Sequence, residues 1–192
     1  MKLLTSCCVS LLLLAACGIA AAQTPASKPD VRRTASQILD HSVDNVENEF
    51  TSAAEAMPED KYSFAPTNGE FKGVRTFGQQ VKHVAAVNYI VAAAILEEKP
   101  PVELGGENGP DSIKSKADIV KFLKDSFAYL HKAMNSLTDA NLVGTVKAPF
   151  GGDKASRLGL ATLSIAHPFD HYGQMVEYLR MNGIVPPASR GQ

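Results

Sequence analysis

Apolar residues recur every three or four positions along most of the chain, the spacing that gives a helix one oily face. The first such stretch predicts a helix from about Val31 to Met57, with a stripe of Val31, Ala35, Ile38, Leu39, Val46, Phe50, Ala53 and Met57. Pro58 ends it, and Pro66, Asn68 and Gly69 mark a loop. A second helix is expected from about Val74 to Glu98. Its stripe of Phe77, Val81, Val84, Asn88, Val91 and Ile95 is widened by Val87, Ile90 and Ala94. Pro100 and Pro101 stop it, because proline lacks the backbone donor and clashes with the preceding turn. After a Gly/Pro-rich loop, Ser115 is the expected N-cap of a third helix, with Asp118 placing negative charge in its first turn. The third stripe is Ile119, Phe122, Leu123, Phe127, Leu130, Met134 and Leu137.

The segment from Asn141 to Gly152 reads as irregular, with one extended piece. A fourth helix follows from about Ala155 to Asn182, with Leu158, Thr162, Ile165, Phe169, Tyr172, Val176 and Leu179 on one side. Gly183 stands where a left-handed C-cap glycine belongs, and Pro186-Pro187 prevents continuation. Four amphipathic helices with few strand signals predict an all-α, up-down four-helix bundle over residues 31–192. Residues 23–30 (QTPASKPD) carry no apolar period and read as a flexible tether.

The N-terminus follows different rules. Lys2 and the uncharged, leucine-rich run from Leu3 to Ala16 have the form of an export signal. Leu14-Ala15-Ala16-Cys17 fits a lipoprotein signal ending before Cys17, which would then carry a lipid. Ala20-Ala21-Ala22 before Gln23 fits ordinary cleavage, making residues 1–22 a signal peptide. A retained anchor is a third reading, since Leu3 to Ala22 is long enough to span a bilayer. The expected location is the periplasm or the extracellular space, with membrane attachment only through that N-terminal lipid. All three cysteines (Cys7, Cys8, Cys17) lie in this segment, so the mature domain has no disulfide and no catalytic thiol.

Composition narrows the partners. The net charge is −1, and no basic run marks a nucleic-acid face. A small molecule of unknown identity is the expected partner, and Ala-rich helix flanks permit a homodimer. No Ser-His-Asp motif, phosphate loop or dinucleotide fingerprint is present.

The histidines carry the remaining chemistry. His167 and His171 are four apart, which on a helix stacks two imidazoles on one face about 5–6 Å apart. Such a pair can share a metal but needs a third ligand from a facing helix. His83 precedes Val87 by one turn and should face a bundle contact. His167 and His171 are in register with Leu160, Ser164 and Gln174, on the flank of the fourth stripe. Read blandly, all of these are helix histidines with hydrogen-bond partners. His41, beside Asp40 and Asp44, and His131 receive no role. Pro168 removes a helix hydrogen bond next to His167. It implies either a kink or a helix that begins there, and the upstream stripe through Leu158 and Ile165 favours the kink.

Three stretches together resemble the DinB/YfiT-like family. Met57 to Pro66 (MPEDKYSFAP) is similar to the connection after its first helix, and Val74 to His83 (VRTFGQQVKH) to the opening of its second. His167 to Ser189 (HPFDHYGQMVEYLRMNGIVPPAS) resembles its last-helix signature. The resemblance covers most of the mature chain. It implies a four-helix bundle holding a divalent metal, commonly zinc or nickel, through His83, His167 and His171 with open positions. It also implies a metal-dependent enzyme, the family's characterised members including thiol-dependent transferases and isomerases.

Three neutral imidazoles leave such an ion doubly positive, so a bound water is acidified toward a pKa of about 7 and a thiol is deprotonated. Asp170, Tyr172 and Gln174 are the sequence neighbours suited to orienting ligands or moving protons. The readings left open are a hydrolase or transferase of unknown substrate, a non-catalytic metal-binding or interaction module of the cell envelope, and a structural bundle with vestigial histidines.

Overall fold

The computed structural model describes residues 32–191. The expected signal segment, Cys17, the tether and Val31 lie outside the described residues. Each helix starts where a hydroxyl side chain closes its first turn. Thr34 caps α1 (Ala35–Ala56) and Thr76 caps α2 (Phe77–Leu96). Both do so in a reciprocal box with a glutamine three residues on, Gln37 and Gln79, which satisfies two backbone donors at once. Ser115 caps α3 (Lys116–Asn135) as expected, accepting from the Asp118 N–H. Ser156 caps α4 (Arg157–Met181) by accepting from the Gly159 N–H. The apolar stripes alone placed the starts of α1 and α2 at Val31 and Val74, ahead of these threonine caps. Among the described residues, no helix is long and apolar enough to cross a membrane.

The four-helix bundle is present, and the bonds at the helix ends fix its directions. Ser36 Oγ at the start of α1 donates to Met134 O at the end of α3, while Lys116 Nζ at the start of α3 donates to Met57 O. These two helices are antiparallel. Arg157 Nε at the start of α4 donates to Ile95 O near the end of α2, and the Tyr178 hydroxyl to Arg75 O just before α2. That pair is antiparallel too. In contrast α2 and α3 run parallel: Gly78 adjoins Ile119 near both starts, and Tyr129 and Lys132 reach Glu98 just past the end of α2. Both α1 and α2 pack on α3 and α4, so they face each other across the bundle. One detail thus departs from a simple up-down order, the directions being up, down, down, up. Parallel neighbours need a connection that travels back the length of a helix, about 30 Å for 20 residues. Residues 97–115 make that return, and they pass the site described below.

Two short strands precede α4. The expected extended piece is β1 (Thr145–Lys147), paired antiparallel with β2 (Lys154–Ser156) so that Thr145 opposes Ser156. Ala155, expected in the first turn of α4, therefore belongs to a hairpin. Helix α2 is buried on nearly every side, as befits a helix that is apolar all round. Phe50, Phe77, Leu123, Phe127, Leu130 and Met175 fill the space between the helices.

The expected inward face of α4 is displaced. Leu158, Thr162 and Phe169 are exposed, whereas Ala161, Ser164, Pro168, His171, Met175 and Tyr178 are buried. These six lie one residue before expected positions, a rotation of about 100°, while Leu179 is buried as expected. Polar Ser164 and His171 occupy the true inner face, which moves the hydrophobic maximum to its flank. Ile38 near the start of α1 is also exposed, against expectation. The helix runs through Pro168 without interruption, so Pro168 is not its start.

Candidate metal centre

Antiparallel packing of α2 and α4 brings His83 level with His167 and His171. The Nε2 atom of His167 lies 3.1 Å from that of His83 and 3.1 Å from that of His171. One ligand atom from each ring falls within 4.8 Å of the others. His83 and His171 are buried, and His167 is half-buried.

Hydrogen bonds on the far side of the rings set two of the tautomers. His83 Nδ1 lies 2.7 Å from Glu107 O, on the returning connection. His171 Nδ1 lies 2.5 Å from Oε1 of Gln80. Both partners are acceptors, so both Nδ1 atoms carry the proton and both Nε2 atoms present lone pairs. His167 has no such partner, and its Nδ1 is buried without a hydrogen bond. What lies among the three Nε2 atoms therefore decides the state of His167.

The Gln80 contact extends outward. Gln80 Nε2 donates to Gln174 Oε1 at 2.8 Å, and Gln174 Nε2 donates to Asp170 Oδ2 at 3.3 Å. This chain fixes which end of the Gln80 amide faces His171. Burial is the main reason that all three imidazoles resist protonation. It holds His167 down to about 3, helped by His171 and His83, and His171 down to about 4, helped by His83 and Arg75. His83 is also lowered by burial, opposed by its bond to the Glu107 carbonyl. All three are neutral at pH 7, the form that ligates a metal.

A recess of about 220 Å³ opens on His83 and His167 and is otherwise lined by Val87, Glu107, Phe150 and Leu163. On another side, a polar cleft is lined by Arg75, Lys82, Asn108 and Asp111, together with Gln80 and Gln174. Arg75 donates to Asn108 Oδ1 through Nε and Nη2.

The sequence model of the DinB superfamily matches residues 42–175, from within α1 to just past His171. The chain belongs to the DinB superfamily. No curated protein matches it. Among solved structures, a DinB-like protein from Bacillus cereus superposes with a TM-score of 0.63 at 16% identity, covering 79% of this chain and 95% of that one. A DinB-like protein from Bacillus subtilis gives 0.58 at 22% identity, covering 77% and 92%. YfiT from Bacillus subtilis, described as a probable metal-dependent hydrolase with an unusual four-helix bundle topology, gives 0.55 at 17% identity, covering 82% and 94%. At these identities the structural likenesses establish the fold.

Within this DinB bundle the three histidines singled out from sequence converge, but their expected neighbours divide. Gln174 joins the hydrogen-bond chain behind His171, and Asp170 ends that chain at an exposed position. Tyr172 does not join them. It is one residue, about 100°, further round α4 than His171, and it faces Glu49 of α1. Burial and then Glu49 raise its pKa. Gln80 and the Glu107 carbonyl were missed. Gln80 sits one turn before His83 on the same face, a spacing that could have revealed it, whereas a backbone carbonyl on a long connection leaves no mark in the sequence. His131, given no role, is gripped by α1 carboxylates at the α1–α3 seam, 2.7 Å from Asp40 and 3.0 Å from Glu47. His41 is exposed beside Asp44.

Proposed function

We propose that His83, His167 and His171 hold one divalent transition-metal ion, zinc or nickel, and that the chain is an exported metal-dependent hydrolase or transferase acting on a small molecule. The observation carrying this reading is the convergence of three Nε2 atoms from two buried histidines and a half-buried one, two of them fixed as lone pairs by bonds at Nδ1. The two separations from His167, 3.1 Å each, are close to the about 3.3 Å edge expected of a tetrahedral site with metal–nitrogen bonds of about 2.0–2.1 Å. The Nε2–H of a neutral His167 could point at only one of the two lone pairs that face it, an added proton is disfavoured by burial, and a cation would engage all three nitrogens. Among the described residues no fourth protein ligand joins the group, the arrangement of sites that keep a position for substrate.

An ion bound there would supply Lewis acidity, to polarise a carbonyl or phosphoryl oxygen or to activate a water or thiol nucleophile. The chain's own residues do the rest. Glu107 O and Gln80 hold two of the rings in orientation, and Gln174 and Asp170 hold Gln80. Val87, Leu163 and Phe150 make one side of the triad's surroundings apolar. The description of YfiT as a probable metal-dependent hydrolase supports the same class by analogy of fold.

A second reading, metal held without turnover, draws on one observation: none of Asp170, Tyr172 and Gln174 lines the recess. Activity separates the two. The zinc- or nickel-loaded protein is assayed on p-nitrophenyl esters and phosphoesters, beside His83→Ala. Turnover that falls at least about 100-fold in the variant, and is removed by chelator and restored by metal, supports the enzyme. Equal turnover in both proteins contradicts it, and metal bound without turnover favours the second reading.

A further inference from the structure

Apart from the histidines and Glu107, the walls of the recess beside the triad are apolar. Val87 comes from α2, Leu163 from α4, and Phe150 from the connection between β1 and β2. Scattered apolar side chains on a surface need no explanation. Here, however, three from three separate elements meet against a polar triad. Phe150 is held there by design of the hairpin. Gly151 and Gly152 adopt φ of 65° and 73°, a left-handed pair that side chains disfavour, and the Ala148 N–H donates to Asp153 O across the turn. The base of the hairpin is pinned to α2. The Arg157 N–H donates to Gly144 O, its guanidinium donates to Ile95 O, and the same group pairs with the Glu97 carboxylate. Val146 of β1 is buried in the core. The hairpin thus presents one aromatic ring over the open side of two histidines.

We propose that this recess is the apolar subsite for the substrate: the molecule handled at the triad carries a short hydrocarbon group, and Phe150 and Leu163 set how long it can be. The inference rests on the metal reading of the triad. The volume of 220 Å³ is below the about 300 Å³ at which sites for drug-sized molecules begin, so the recess takes a fragment. At about 30 Å³ per group, the liquid-volume share of a water molecule, it holds a chain of roughly six to seven carbons. Leu163 and Phe150 are 36% and 37% exposed, so their substitution tests the recess without emptying the core.

The test is a titration of the full chain loaded with cobalt(II), using straight-chain hydroxamates from acetyl to decanoyl as probes. Binding is followed by the visible bands of cobalt. Affinity should rise about three- to fourfold for each added methylene and level off near hexanoyl. Phe150→Ser and Leu163→Ser should each flatten that rise while cobalt stoichiometry stays unchanged. A protein that binds cobalt but takes all the hydroxamates equally overturns this inference and leaves the metal reading intact. A rise that neither substitution alters overturns it as well. Failure to bind cobalt at all removes both.

Discussion

His171 and Gln80 form the shortest contact at the triad, with Nδ1 and Oε1 2.5 Å apart. Gln80 is 2% exposed, and its amide nitrogen is committed to Gln174, so it cannot turn without leaving a buried group unpaired. This places the imidazole of His171 and fixes its proton at once. Gln80→Ala should therefore weaken zinc binding about 10- to 100-fold with the helical content retained, measured by competition with a chromophoric chelator. Gln80→Glu keeps an acceptor at that position and should retain most of the affinity. Equal affinity in all three proteins would show that the contact does not orient a ligand.

Metal binding should be visible in stability. A ligand that binds only the folded chain contributes about 2.7 kcal/mol at 100 times its Kd. For a chain of this size that raises Tm by roughly 5–10 °C. Zinc should produce this rise in the parent, chelator should reverse it, and the His83→Ala, His171→Ala double variant should show neither effect in a calorimetric scan.

At the opposite seam, His131 supplies a pH dependence of its own. The bond to Glu47 raises its pKa most, Asp40 adds to this, and partial burial opposes it, leaving the ring at about 9. Asp44 stands 3.5 Å away, and Asn135 also donates to Asp40. Because the folded pKa lies above the unfolded value of about 6.5, the stabilisation is complete below pH 6.5 and is lost as pH rises through about 9. His131→Gln should cost about 1–2 kcal/mol near pH 6, and the difference from the parent should shrink by pH 10. Urea denaturation of both proteins at the two pH values reads this directly. A difference that does not change with pH would mean that packing, not charge, gives His131 its role.

Close approach of backbone to backbone explains one glycine. The Gly78 N–H donates to Tyr62 O at 2.8 Å, and a Cβ at position 78 would stand 3.0 Å from Tyr62 Cδ1 and 3.2 Å from that oxygen. Gly78→Ala should cost about 1–3 kcal/mol in chemical denaturation, although alanine is ordinarily the better helix former. Unchanged or higher stability would contradict the contact.

Local chemistry explains how much of this was legible in the sequence. Helix ends marked by Pro58, Pro100, Ser115 and Gly183 stood out because caps and breakers act within a few residues. The histidine pair stood out because its spacing is helical. The phase of α4 misled, since burying Ser164 and His171 puts polar residues on the inner face and leaves Leu158 and Phe169 outside. The parallel course of α2 and α3 depends on how a long connection travels, which no periodicity records. Gln80 and the carbonyl of Glu107 acquire their roles only when α4 and residues 97–115 fold against α2. Tyr172 misled for the converse reason: adjacency in sequence to His171 turns it toward α1.

On the proposed reading, three histidines hold one ion. Elemental analysis of the purified protein, beside the His83→Ala, His171→Ala double variant, is the most direct check. About one zinc or nickel per chain is expected in the parent and none in the variant. No metal in the parent after zinc, nickel and other divalent ions have been offered, or equal metal in both proteins, would contradict it.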